Sequence, residues 1–169
     1  MSTGHLREQV FALLYSEKKP EHAILLLNRI LKQTPERSDA LALKAYALNR
    51  LANALQEWKY SGFALENAER ALALNPGDDI ALTSKGWALL DLGRADEAVP
   101  VLLLATQVNP RNEYAWFNLA WAQYLTGDAG ASTGSVKRAL QISPGNEVII
   151  RGKEMMEKGT VPSHLRKRN

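Results

Sequence analysis

The chain contains no cysteine and only three histidines, His5, His22 and His164. Without cysteine there are no thiolate nucleophiles, no disulfides and no sulfur-ligated zinc. The histidines stand far apart, with no i, i+4 pair and no carboxylates grouped around them. They read as surface residues, and no metal site is expected. No apolar run approaches the ~18 residues that a membrane span requires. The first 19 residues hold only a short apolar stretch, Val10 to Tyr15, with no small-residue cleavage site after it. A cytoplasmic protein without membrane insertion is the expectation. Charge of one sign is scarce as well. A net charge of +3 does not by itself argue for a nucleic-acid partner. The terminal His164, Arg166, Lys167 and Arg168 lack an aromatic-interleaved basic face and read as a solubilising tail. Nothing places a serine, a histidine and an acid in strand–turn–helix context. The glycine-rich Gly127 to Ser135 has no lysine after its last glycine and no strand before it, so it is not a phosphate loop. No catalytic residue, enzyme activity or cofactor is expected.

What is present is periodic. Pro35, Pro76, Pro110 and Pro144 are separated by 41, 34 and 34 residues, and Gly93 and Gly127 are also 34 apart. Such a period signals stacked repeats. Apolar residues recur at helical spacing from Asp79 to Leu92, break at Gly93-Arg94, and resume from Ala95 to Val108 before Asn109-Pro110. Glu113 to Thr126, Gly127-Asp128, Ala129 to Ile142 and Ser143-Pro144 repeat the scheme. Proline stops a helix and pushes the residue before it toward extended geometry, while glycine tolerates the positive φ of a tight turn. The units are 4–37, 38–78, 79–112 and 113–146. The second is seven residues too long. With no breaker between Leu41 and Gln56, the extra length is placed on its first helix, and its turn near Trp58 to Gly62. Residues 147–158 read as a closing helix that covers the last unit, completing one domain over 1–158, and 159–169 as a loose basic tail. Gly130 and Gly134 predict a helix that is either locally soft or packed against something close.

These residues resemble the tetratricopeptide repeat, whose pattern is W-x2-L-G-x2-Y, A-x3-F, P. Trp116, Leu119, Ala120, Val136, Ala139 and Pro144 match in the fourth unit. Gly86, Leu89, Gly93, Ala98, Leu102, Ala105 and Pro110 match in the third, and Leu41, Ala45, Leu48, Ala64, Ala71 and Pro76 in the second. The first unit keeps Ala23, Leu27 and Pro35 but has Phe11 and Ile30 at usually small positions, as a terminal repeat does. The resemblance implies an all-α fold, a right-handed α-solenoid of antiparallel helix pairs, with small residues such as Gly86, Ala98 and Ala105 where helices cross closely. Trp116 matches the family's structural tryptophan and is expected in the core.

The resemblance also implies a protein–protein interaction scaffold that holds a peptide-like segment on the concave side, which the first helix of each unit lines. The groove slot common to the units holds Tyr46, Trp87 and Trp121. Neighbouring slots hold Asp39, Asn49, Arg50, Thr83, Leu90, Asp91, Tyr114, Phe117, Asn118 and Tyr124, with Arg151 approaching from the closing helix. The alternative is that these rings fill the solenoid core. One subclass of the family grips a chaperone's C-terminal carboxylate with lysine and asparagine. Here the corresponding positions are Glu8, Ala12, Leu43, Ile80 and Ser84, so that clamp is missing. Trp58, Tyr60 and Phe63 cluster at the tip of the long second hairpin. They either cap it internally or form a self-association patch. The alternative function is a structural assembly protein that associates with itself into a homo-oligomer, through its repeat ends or this hairpin tip.

Overall fold

Each of the four periodic prolines lies two residues past the last residue of a helix, and the residue before it has left the helical region. Thr34, Asn75, Asn109 and Ser143 have φ between −139° and −132° and ψ between 78° and 90°. The ring of the following proline excludes the helical region for that residue, so the chain must turn there. In this computed structural model, which describes residues 2–162 and 165, the result is a run of helices with no strand among those residues. Helix α1 (Thr3–Phe11) runs into a π-helical turn, Ala12–Ser16, and is followed by α2 (Pro20–Gln33). The second unit is α3 (Ser38–Leu55) and α4 (Lys59–Leu74), and the third is α5 (Asp79–Asp91) and α6 (Ala95–Val108). The fourth is α7 (Glu113–Leu125) and α8 (Ala129–Ile142), closed by α9 (Glu147–Glu157).

Between the two helices of every unit the backbone passes through a positive φ, at Lys18 (54°), Gln56 (56°), Gly93 (75°) and Gly127 (92°). Only the last two carry the glycine that makes such a turn recognisable. The second turn therefore lies at residues 56–58, ahead of the expected Trp58 to Gly62, and Gly62 is inside α4. The seven extra residues are divided. Helix α3 has 18 residues against 13 in α5 and α7, while α4 has 16 against 14 in α6 and α8. Both helices of the hairpin are lengthened, α3 by five residues and α4 by two.

Helix α5 packs on both α3 and α7, so the first helices of units two to four form one continuous layer. The second helices pack against the flanking first helices. The α5–α6 crossing shows why a glycine stands there. A Cβ on Gly86 would lie 2.3 Å from Cγ of Leu102, which is fully buried and has nowhere to go. Gly86→Ala is thus expected to destabilise by about 1–3 kcal/mol through overpacking. The opposite holds on α8. A Cβ on Gly134 meets nothing within 4 Å, and one on Gly130 meets only the Asp128 carboxylate at 3.7 Å. Close packing is thereby ruled out as the reason for these glycines. Gly134→Ala is expected to stabilise by up to about 1 kcal/mol. The urea midpoints of the two variants should move in opposite directions.

Among the described residues no helix is long and apolar enough to cross a membrane.

Candidate binding groove

Helical periodicity sends residues three and four apart to one face, and on α3, α5 and α7 that face is aromatic. The rings of Tyr46 and Trp87 meet edge to face with centroids 5.9 Å apart. On α7, Trp121 meets Phe117 at 6.3 Å and Tyr124 at 5.8 Å, both again edge to face. A cavity of about 500 Å³ opens along this layer. Tyr46 and Arg50 enter it from α3, Trp87, Leu90 and Asp91 from α5, and Tyr114, Phe117, Asn118 and Trp121 from α7. Helix α9 supplies Val148, Arg151, Gly152 and Met155. It sits tight against the wall, because a Cβ on Gly152 would fall 2.4 Å from Phe117 Cζ. An adjoining cavity of about 350 Å³ shares Tyr46 and Tyr114 and adds Arg7, Phe11, Tyr15, Ile80 and Thr83.

Of the fourteen residues expected to line a groove, ten surround the larger cavity and Thr83 borders the adjoining one. Asp39 does not; its carboxylate accepts from Arg37 at 2.8 Å. Asn49 does not. It is fully buried and its side-chain N–H donates to the Ser84 carbonyl at 2.9 Å, tying α3 to α5. Tyr124 does not either. It lines a separate space of about 120 Å³ between α8 and α9, beside Val136 and Met156. Phe11 and Tyr15 join the wall without having been expected there. Phe11 stands where the first unit departs from the family pattern, yet its ring contacts Tyr46 at 5.9 Å and extends the ladder into that unit. The Tyr15 and Tyr46 hydroxyls are hydrogen-bonded to each other, and the Arg50 guanidinium lies 4.8 Å from the Tyr15 ring centroid. Burial pushes both phenols up from their ordinary pKa.

The cavity wall and the apolar core are one layer. Tyr46, Phe117 and Trp121 line the cavity while being nearly fully buried, whereas Trp87, Tyr114 and Arg50 are half-buried. Val148, 61% exposed, and Arg151 form the open rim. The polar elements are sparse. Asp91 is only 2% exposed; its Oδ2 accepts from the Ser61 hydroxyl at 3.0 Å and from the Asn53 amide at 3.4 Å. Its Oδ1 and the buried Asn118 Nδ2 have no hydrogen-bond partner among the described residues. Burial pushes the Asp91 carboxyl up to about 7.

At the second hairpin, Tyr60 packs inward against Leu48, Ala64 and Ala88. Phe63, 6.5 Å from Tyr60, is 52% exposed, and Trp58 is half-buried at the start of α4. Trp116 is half-buried rather than buried; it packs on the apolar cluster and its indole N–H donates to the Pro110 carbonyl at 3.0 Å. His5 and His22 are exposed. His164, Arg166, Lys167 and Arg168 lie outside the described residues. No group of three or more His, Cys, Asp or Glu among the described residues is placed to hold a metal.

Stacked helical hairpins of this period, turned by proline between units and with the first helices packed in one layer, define a tetratricopeptide-like helical-repeat fold. Residues 64–107, from within α4 to near the end of α6, match the tetratricopeptide-repeat family model. The fold is similar to that of a thermophilic tetratricopeptide protein from Thermus thermophilus, with a TM-score of 0.74 at 22% identity, over 94% of this chain and 82% of that one. It is also similar to MamA, residues 41 to the end, from Desulfovibrio magneticus, with a TM-score of 0.65 at 18% identity, over 93% and 84% of the two chains. The tetratricopeptide domain of Sgt2 from Aspergillus fumigatus matches with a TM-score of 0.58 at 22% identity, over 69% and 78%. No curated protein sequence matches the chain.

Proposed function

We propose that the protein is an interaction scaffold whose concave layer, α3, α5, α7 and α9, holds an extended or helical segment of a partner protein. The observation that carries this reading is the cavity of about 500 Å³ walled by aromatic side chains from three successive first helices. Aromatic rings offer large contact area at low entropic cost, and such rings dominate binding energy where they recur at interfaces. Arg50 and Arg151 flank the rings with donors for carbonyl or carboxylate groups, and the unpartnered Asn118 amide adds a donor for a ligand backbone. The same side chains offer no nucleophile–base pair. Apolar anchors along a peptide suit this wall better than a terminal carboxylate.

The test must leave the buried rings in place. Val148→Asp combined with Arg151→Glu changes only exposed rim residues, so the melting temperature should stay within a few degrees of wild type. Affinity capture from native lysate is expected to yield partners with the wild type that the double variant loses by at least about tenfold, the size of effect of one or two interface anchors. Equal capture by the two proteins would remove the groove from consideration.

A further inference from the structure

The sequence predicts a loose segment after α9, yet the first part of that segment is packed. At the end of α9 the backbone reverses through Gly159 (φ 67°), and the Thr160 N–H and hydroxyl both donate to the Met155 carbonyl, at 2.8 and 3.0 Å. The chain is thereby directed back over the groove instead of away from it. Val161 and Pro162 are half-buried, and the Leu165 N–H donates to the Pro162 carbonyl at 2.9 Å. Leu165 is 4% exposed and belongs to the same apolar cluster as Phe117 and Trp121, while Pro162 and Leu165 both border the larger cavity.

An exposed tail has no need of a buried leucine. This one reaches the wall that the groove reading assigns to a partner, and it does so from a few residues' distance. We propose that Val161, Pro162 and Leu165 form an intramolecular strap that occupies the α7–α9 end of the groove, with Leu165 in the seat of a partner's apolar anchor. This rests on the groove reading above. The Tyr46–Trp87 end carries no strap residue among those described, so a partner segment engages there first and displaces Leu165 by presenting an apolar side chain of similar size. A tethered occupant on a short linker acts at an effective concentration in the millimolar range. Even a weak intrinsic affinity, near 0.1 mM, would then suppress binding of a free competitor by roughly tenfold.

The chain's own tail is the probe. A fluorescein-labelled peptide of residues 160–169, TVPSHLRKRN, is titrated by anisotropy against the full chain and against the full chain carrying Leu165→Asp. The variant is expected to bind the probe at least about tenfold more tightly than wild type, and a probe in which its own leucine is replaced by aspartate should bind neither. Equal affinities, or no binding to either protein, would overturn the strap. If Leu165→Asp does not fold, Leu165→Ala, which trims the anchor without adding charge, is read by the same criterion. The two readings fail separately. Equal probe binding by wild type and Leu165→Asp, with partner capture still lost in the Val148→Asp/Arg151→Glu protein, refutes the strap alone. Tight probe binding by Leu165→Asp with partner capture untouched by the rim changes refutes the partner groove and keeps the strap.

Discussion

Trp121→Ala is expected to destabilise the protein by about 3–5 kcal/mol, the range for deleting a large buried aromatic. Only 4% of the residue is exposed, its ring is held edge-on by Phe117 and Tyr124, and a Cβ on Gly152 would already approach its indole nitrogen to 3.4 Å. Its neighbours are buried helix faces that cannot close the hole, so the cavity term adds to the transfer term. In a chain of this size that loss corresponds to a fall in melting temperature on the order of 10 °C. The consequence for function is direct. Trp87 and Trp121 share a groove slot, yet removing both is not a clean test of binding, because loss of capture would report unfolding. A destabilisation below about 1 kcal/mol in urea would instead mark Trp121 as a surface ring.

The second large effect concerns Asp91. Burial raises its carboxyl from 3.8 to about 7, so the folded protein holds a proton there that the unfolded chain releases near pH 4. The folded state binds more protons than the unfolded state between those values. Stability from this site is therefore fully present below pH 4 and is lost as pH rises through 7. A shift of about three units at ~1.4 kcal/mol each amounts to as much as about 4 kcal/mol. Asp91→Asn keeps a side-chain oxygen for Ser61 and Asn53 and removes the titration. Melting temperatures taken from pH 4 to 8 should fall in the wild type and stay nearly level in Asp91→Asn, with the variant the more stable at pH 8. Parallel curves would show that Asp91 titrates as an ordinary carboxylate.

The helices and their pairing are legible in the sequence because Pro35, Pro76, Pro110 and Pro144 impose the same local geometry wherever they occur. Gly93 and Gly127 mark two of the four hairpin turns. The other two are not legible, because Lys18 and Gln56 adopt the left-handed conformation without the residue that advertises it. For that reason the expected second turn, at Trp58 to Gly62, falls too late. Along the cavity, slot counting places Tyr46, Trp87 and Trp121 on one wall because equivalent positions in a repeat stack point the same way. It fails at Asn49 and Tyr124, whose slots rotate into the helix–helix contact. In the second unit the Asn49 amide donates to the Ser84 carbonyl of α5; in the fourth, Tyr124 faces the space it shares with α8 and α9. Phe11 and Tyr15 escape slot counting because the first unit departs from the family pattern just where they stand. The packing of Leu165 has no local signal, since a single leucine among basic residues carries no periodicity.

The central claim is that partners dock on the inner layer of first helices, and site-specific photo-crosslinking tests it most directly. A photoreactive phenylalanine analogue is placed at Val148 on the groove rim, or at Leu104, which is 44% exposed on α6 away from the cavity. Adducts to a captured partner are expected from position 148, at levels several times those from position 104. Adducts that form from position 104 while position 148 stays silent would contradict the assignment and move the binding face to the second helices.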